Sequence, residues 1–309
     1  MIFFENILVN IGIMIILATS LNLIVGITGI LSLGHYAFFG IGAYSSILLT
    51  FYLHSMQIIN YIPSFVLFFL VIIFGGIIAG FFSYIISYPV LKLKGDYLAV
   101  ATLGFNEIFK SLMENIDFFG GAKGYSLYTK LGNTEPYFKT NLIWVYIFVV
   151  LTIFIIVRIM KSNYGRVLLA IRDDEIASES VGINIAKYKT LSFVIGSVMA
   201  GFAGVLFVMY DRFYATPKDF SFLEGISVLL MVVFGGLGSI TGSVIGAITL
   251  TLILQLIKII PFLSRHQILF YSFLLILMMI LKPQGLFGRL DTTQNFINKI
   301  FKKIDRKEI

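Results

Sequence analysis

Long uncharged stretches alternate with short charged segments along this chain. No Asp, Glu, Lys or Arg occurs from Asn6 to Leu91, and a second uncharged run extends from Gly225 to Ile257. A helix that crosses a bilayer needs about 20 apolar residues, so the first run alone has room for about three such helices. The pattern predicts nine membrane-spanning helices, within a range of eight to ten, at about 7–25, 36–53, 63–86, 97–113, 141–160, 190–210, 220–236, 238–260 and 266–282.

Composition supports an all-α, polytopic integral membrane protein. The chain has 309 residues, of which 58% are hydrophobic and 13% are charged, and its mean hydropathy is +0.95. Soluble domains carry about 25% charged residues, roughly twice this fraction. The opening MIFFENILVN has no basic segment of the kind that begins a cleavable signal, so we expect the first apolar stretch to be retained.

The distribution of Lys and Arg predicts the orientation. With nine spans and a cytoplasmic C-terminus, fifteen basic residues lie inside and seven outside, while Lys110 falls within a span. We therefore divide the chain into a transmembrane domain, 1–290, and a basic cytoplasmic tail, 291–309, close to lipid headgroups. Because the basic residues flank apolar segments, the net charge of +7 does not indicate nucleic-acid binding.

A glycine-rich stretch, LNLIVGITGILSLGHYAFFGIGAY, joins the first two spans. So much glycine weakens a continuous helix, and irregular backbone in a membrane must be buried in protein or line a wet cavity. The stretch, like the similar segment at 220–246, could be broken or re-entrant. It is a candidate for a translocation path, and close packing through small residues is the alternative. The candidate path residues are Ser32, Gly34, His35, Phe38, Gly40 and Gly42, joined by Thr102 and Glu107 of the fourth span.

The fourth span carries three charged residues, Glu107, Lys110 and Glu114, at spacings that place them on one helix face. An ionisable residue at membrane depth is a functional candidate. The three also lie near the end of the span, so an interfacial cluster is the favoured alternative.

The longest polar interruption between two spans is the segment 161–189, a predicted cytoplasmic loop. Asp173 and Asp174 suit the first turn of a short helix ending near Val181, and Gly182 suits its C-terminal stop. On that helix Glu175 and Glu179 share one face, and Ile176, Ala177, Ser180 and Val181 lie opposite. The loop is either a docking surface for a partner or a solvated connector.

Several kinds of chemistry are missing from the sequence. There is no G-x-x-x-x-G-K-[ST] phosphate loop and no H-E-x-x-H motif, the three histidines are isolated, and there is no cysteine. We therefore predict a protein that is not an enzyme, with no ATPase site, no metal site and no cofactor of its own.

Five motifs in order resemble the permease subunits of bacterial branched-chain amino acid ABC importers, and among them the LivM type. They are the glycine-rich stretch above, TLGFNEIFKSLMENIDFFGGAKG, SNYGRVLLAIRDDEIASESVGIN with a following FAGVL, VFGGLGSITGSVIGA, and LKPQGLFG. The resemblance covers most of the chain and implies a membrane domain with pseudo-symmetric halves.

The resemblance also implies partners and a mechanism. Such a permease pairs with a second, LivH-like permease and two cytoplasmic ATPases that use ATP and Mg²⁺, and it receives amino acids from an extracytoplasmic binding protein. The loop 161–189 would then contact the ATPases. The general coupling motif E-A-A-x-x-x-G fits only in part, since Ile176 stands where its Glu is expected. The expected coupling residues are Arg166, Arg172, Asp173, Glu175, Ala177, Glu179 and Gly182.

Three alternatives stay open at this stage. Relatives of such permeases also carry urea and short amides, which suit the same apolar path. An ATP-independent channel or secondary carrier would leave the elaborate loop unexplained, and a membrane-embedded enzyme is disfavoured by the missing catalytic groups.

Overall fold

A computed structural model describes residues 2–57, 61–93, 95–127, 140–210 and 214–259, with the single positions Leu269, Phe273, Ile276 and Gly285. The ninth predicted span, 266–282, therefore lies outside the described residues apart from single positions, and the tail 291–309 lies wholly outside them. The described helices are α1 (Ile2–Asn22), α2 (His35–Ser55), α3 (Ser64–Val90), α4 (Asp96–Asn115), α5 (Leu142–Lys161), α6 (Asn163–Asp173), α7 (Glu175–Ser180), α8 (Ile185–Tyr210), α9 (Phe222–Gly235) and α10 (Ile240–Ile259).

Six of these helices are long and apolar enough to cross a membrane within the described part of the chain. They are α1 with its π-helical extension, α2, α3, α5, α8 and α10, and they coincide with six of the nine predicted spans. The polytopic, all-α class is thereby confirmed. α4 has the length of a span but carries charged residues, and α9 has 14 residues, about 21 Å of helix, which is shorter than the hydrocarbon core.

α8 lies at the centre of the bundle and packs against α1, α2 and α3. Small residues make this close packing possible. A methyl group added at Gly204 would lie 1.9 Å from the carbonyl oxygen of Phe39, and one added at Gly42 would lie 2.3 Å from that of Gly201. A bare glycine backbone is therefore needed where α2 crosses α8.

The first predicted break is present. α1 widens into the π-helical turn Leu23–Ile27, and an irregular segment, 28–34, precedes α2. The second glycine-rich segment also breaks, at 236–239 between α9 and α10. We call these two irregular segments, with the π turn, the first and second breaks.

On the face of the bundle opposite to the loop 161–189, the chain forms a small irregular layer. The strands β1 (Tyr125–Ser126) and β2 (Tyr214–Ala215) pair antiparallel, and the 3₁₀ turns Asp117–Phe119, Gly121–Lys123 and Pro217–Phe220 flank them. Burial raises the pKa of Tyr125 in this layer. The layer closes over the ends of α4 and α8.

Candidate functional site

The loop 161–189 folds into two helices, α6 and α7, rather than the single short helix that its sequence predicts. The Ser162 hydroxyl caps α6 by accepting from the backbone N–H of Gly165 at 3.4 Å. α6 is amphipathic and buries Gly165, Leu168 and Ile171 against the bundle. Leu168 packs with Leu23, Ile27 and Ile156 in a small separate apolar cluster, so the loop is attached directly to the first break.

Asp174 separates the two helices and caps the second. Its Oδ1 accepts from the backbone N–H groups of Ile176 and Ala177 at 2.9 and 3.0 Å, which is typical of an N-cap aspartate. The prediction that Asp173 lies in the first turn of this helix is wrong, because Asp173 is the last residue of α6. Gly182 ends α7 with a φ of +84°, as its sequence position predicts.

Two contacts fasten the end of the loop to its beginning. The carboxylate of Glu175 forms an ion pair with the ammonium of Lys189, whose side chain is almost buried. The hydroxyl of Tyr164 donates to the carbonyl of Tyr188 at 2.7 Å, and the two rings stack 5.2 Å apart. Burial, together with the neighbouring Tyr188, raises the pKa of Tyr164, so this hydroxyl remains a neutral donor. α6, α7 and the start of α8 are thus tied into one unit.

Arg172 connects this unit to the first break. Its Nη1 donates to the backbone carbonyl of Gly26 at 2.7 Å, inside the π turn. The last carbonyls of a helix have no partner within the helix, and a cation at that end is favoured by the helix dipole. Gly29, with a φ of +77°, lies against the Arg172 side chain, since an added methyl group there would be 2.9 Å from its Cγ. The guanidinium therefore takes the place of a helical N–H.

Asn22 connects the first break to the second. Its amide Nδ2 donates to the carbonyl of Ser239 at 2.9 Å, and its Oδ1 accepts from the N–H of Gly238 at 2.8 Å. A methyl group added at Gly238 would lie 2.9 Å from Arg172 Nη1, so the guanidinium touches both breaks. We call Arg172, Asn22, Gly26 and Gly238 the break clamp.

The rest of the loop surface points away from the bundle. Ile176 and Val181 are 75% and 77% exposed, so the loop presents two apolar side chains to its surroundings. Of the predicted coupling residues, five are exposed, and these are Arg166, Asp173, Ala177, Glu179 and Gly182. Glu175 and Arg172 instead contact Lys189 and Gly26. The Arg172 side chain is 38% exposed, and its Nε also lies 3.5 Å from the carboxylate of Asp173.

The predicted path residues lie together, except for Glu107. Thr102 meets the first break through its Oγ1, which accepts from the N–H of Leu33 at 2.9 Å, and its carbonyl would lie 2.4 Å from a methyl group on Gly34. His35 is buried and its Nε2 lies 2.9 Å from the Ser20 hydroxyl. The other predicted path residues pack within the chain. Ser32 is buried in the first break, and the ring of Phe38 contacts those of Phe105 and Phe193. Gly40 lies against Phe109, and Gly42 lies against Gly201.

Glu107 lies apart on α4, where Lys110 Nζ is 3.9 Å from its carboxylate and 4.0 Å from that of Glu114. The predicted pairing of these three side chains is therefore present. Within this chain the glycines near α2 make close packing contacts, and their role in a path stays a prediction.

Sequence reasoning missed Asn22 and its partners at 238–239. One signal was available, since Asn22 is an amide at the end of an apolar span, where a buried polar side chain requires hydrogen-bond partners. The partner could not be found from the spacing, because 216 positions separate Asn22 from Gly238.

An apolar bundle with six membrane-length helices among the described residues, two clamped breaks and a docked polar loop defines a polytopic membrane protein. The family described as "Branched-chain amino acid transport system / permease component" matches residues 3–282, and the chain belongs to it.

Two relatives are named high-affinity branched-chain amino acid transport system permease protein LivM, one from Salmonella typhimurium and one from Escherichia coli. Each is 33% identical over 299 residues, covering 88% of this chain and 67% of the relative. The permease protein LivH of Escherichia coli is 36% identical over 152 residues, which is 48% of this chain and 46% of LivH. No solved structure matches the chain.

Proposed function

We propose that this protein is the LivM-type permease subunit of an ATP-binding-cassette importer. It moves branched-chain or similar amino acids across the bacterial cytoplasmic membrane, and partner subunits supply the energy by ATP hydrolysis. The expected partners are a LivH-like second permease, two ATPases that bind the loop, and an extracytoplasmic binding protein. The side of the membrane that carries the loop 161–189 is then cytoplasmic.

One observation supports this proposal above the others, namely the contact between Arg172 and the Gly26 carbonyl. A solvated connector has no need of a guanidinium that contacts two helix breaks. A loop that receives force does need it, because a rigid unit transmits displacement only where it is fastened to the element that moves.

The proposed mechanism follows from the contacts that join the loop to the two breaks. Docking of an ATPase on Ile176 and Val181 moves α6 and α7 as one unit, since Glu175–Lys189 and Tyr164–Tyr188 hold its ends together. Arg172 passes that displacement to Gly26, and Asn22 passes it to Gly238 and Ser239. Both breaks then shift together, and the helices that begin after them, α2 and α10, change their tilt.

The experiment is co-purification of the ATPase subunits with the detergent-solubilised permease, expressed together with its neighbouring genes. The test variant is Ile176→Asp with Val181→Asp, and the matched control is Ala186→Asp, an exposed residue at the start of α8 in the same loop. We expect the ATPases to co-purify with wild type and with the control, and to be lost from the double variant. If wild type itself retains no ATPase, the importer assignment fails.

A further inference from the structure

α4 is the amphipathic helix among the membrane-length helices of the described chain. One face is buried, through Leu98, Thr102, Asn106, Phe109 and Met113. The other face carries Glu107, Lys110 and Glu114, whose side chains are 45%, 27% and 34% exposed in the single chain.

Contacts between helices place this face at membrane depth. Gly196 of α8 lies against Ser20, Ser20 against His35, and the segment just before His35 is bonded to Thr102 of α4. Gly196 precedes the end of α8 by 14 residues, and Thr102 precedes the end of α4 by 13 residues. At 1.5 Å per residue, both lie about 20 Å below their helix ends, so α4 and α8 end at about the same level.

The same rise gives the depth of the charges. From Lys189 to Tyr210, α8 spans about 31 Å, which is the thickness of the hydrocarbon core. Glu107 lies eight residues before the end of α4 and Lys110 five, about 12 Å and about 8 Å below that boundary. Taking the end of α8 at Tyr210 as the membrane boundary places both charges within the bilayer.

Irregular backbone reaches the same depth beside them. The amide of Asn106 donates to the carbonyl of Phe220 at 3.3 Å, so the 3₁₀ turn Pro217–Phe220 enters the membrane to the level of Glu107. Lys218 in this turn is exposed, and Asp219 is half-buried. Irregular backbone and charge at this depth are tolerated only when they are buried in protein or face water.

From these two observations we infer that the polar face of α4 lines a water-filled vestibule, opening on the side opposite to the loop 161–189. We further infer that Glu107 and Lys110 there contact the zwitterionic head of an amino acid. The second step rests on the proposed function.

The chemistry of the contact fits a zwitterion. The Lys110 ammonium lies 3.9 Å from the Glu107 carboxylate and 4.0 Å from the Glu114 carboxylate, and both distances exceed that of a hydrogen bond. Its N–H donors are therefore available to the α-carboxylate of an amino acid. The half-exposed carboxylate of Glu107 accepts from an α-ammonium. A neutral solute such as urea has no charge to match either group.

Hydration is tested by single-cysteine labelling, since the chain has no cysteine of its own. In membranes holding the full importer, Glu107→Cys and Lys110→Cys are treated with a charged, membrane-impermeant methanethiosulfonate from the side opposite to the loop. The control is Val150→Cys, which is 66% exposed on α5 and eight residues from its end on that side. We expect labelling at positions 107 and 110 at least tenfold faster than at 150, and equal rates would overturn the vestibule.

The substrate contact is tested by uptake of labelled L-leucine. Glu107→Gln and Lys110→Gln should each raise the Michaelis constant at least tenfold with little change in maximal rate. The control is Leu112→Ala, which should change neither constant, because Leu112 is an exposed apolar residue of the same helix. Unchanged Michaelis constants would overturn the contact. If the wild-type importer takes up no leucine, the proposed function fails instead, and labelling still decides whether the face is hydrated.

Discussion

The guanidinium of Arg172 donates to the backbone carbonyl of Gly26 across 146 positions of sequence, joining the polar loop to the first break. Hydrogen bonds from charged donors contribute about 1.5–3 kcal/mol, more than most loop contacts. Because the acceptor is a backbone carbonyl, this hydrogen bond depends on the backbone conformation of the first break and not on any particular side chain there. This contact makes the loop part of the membrane domain.

Arg172→Ala should separate transport from ATP hydrolysis. Without the guanidinium, the Gly26 carbonyl loses its donor and only the apolar packing of Leu168 still holds α6 to the break. We therefore expect leucine uptake to fall at least tenfold while ATPase activity of the assembled importer persists. Arg166→Ala is the matched control, because Arg166 is exposed and bonds only to nearby Asn163. Uptake and ATP hydrolysis measured in the same proteoliposomes check this, and parallel loss of both activities would contradict a transmitting role.

Asn22→Leu should destabilise the protein. Replacing the amide removes the acceptor of the Gly238 N–H, and an unpaired buried group of this kind costs about 1–3 kcal/mol. The Ser239 carbonyl loses one donor but still accepts from the N–H and the hydroxyl of Ser243. We expect a clear fall in melting temperature in detergent. Asn115→Leu should have little effect, since Asn115 is exposed and its side-chain hydrogen bonds among the described residues are to Ser111 of its own helix. A similar melting temperature for wild type and Asn22→Leu would show that the two breaks are not held by this amide.

Two glycine substitutions should act in opposite directions. Gly204→Ala places a methyl group 1.9 Å from the Phe39 carbonyl, which forces α2 and α8 apart, and a marked loss of stability is expected. Gly104→Ala meets nothing within 4 Å, and alanine is favoured over glycine in a helix by about 1 kcal/mol, so this variant should be slightly stabilised. Thermal unfolding of both proteins checks the pair, and equal shifts would refute the packing argument.

The sequence predicted six of its nine spans in agreement with the membrane-length apolar helices of the described residues, because runs of apolar residues are a local signal. It also predicted both breaks, since glycine weakens helices wherever it clusters. It did not predict the break clamp. Asn22, Arg172 and Gly238 come from three distant parts of the chain, and their contacts depend on how the helices pack. The depth of Glu107 was likewise undecided, because it depends on where Thr102 meets the first break.

The ion pair between Glu175 and Lys189 gives a final prediction. Lys189 is almost buried, so Glu175→Gln leaves a buried ammonium without its counter-charge, whereas Lys189→Met removes that charge and keeps an apolar stem of similar length. We therefore expect Glu175→Gln to loosen the loop more than the double variant Glu175→Gln with Lys189→Met. Limited trypsin digestion checks this through cleavage at Arg166 and Arg172, which lie in the loop and are unchanged in every variant. Glu179→Gln, on the exposed side of the same helix, is the control and should be cleaved at the wild-type rate. Cleavage of the double variant as fast as that of Glu175→Gln, or faster, would mean that the unpaired lysine is not what loosens the loop.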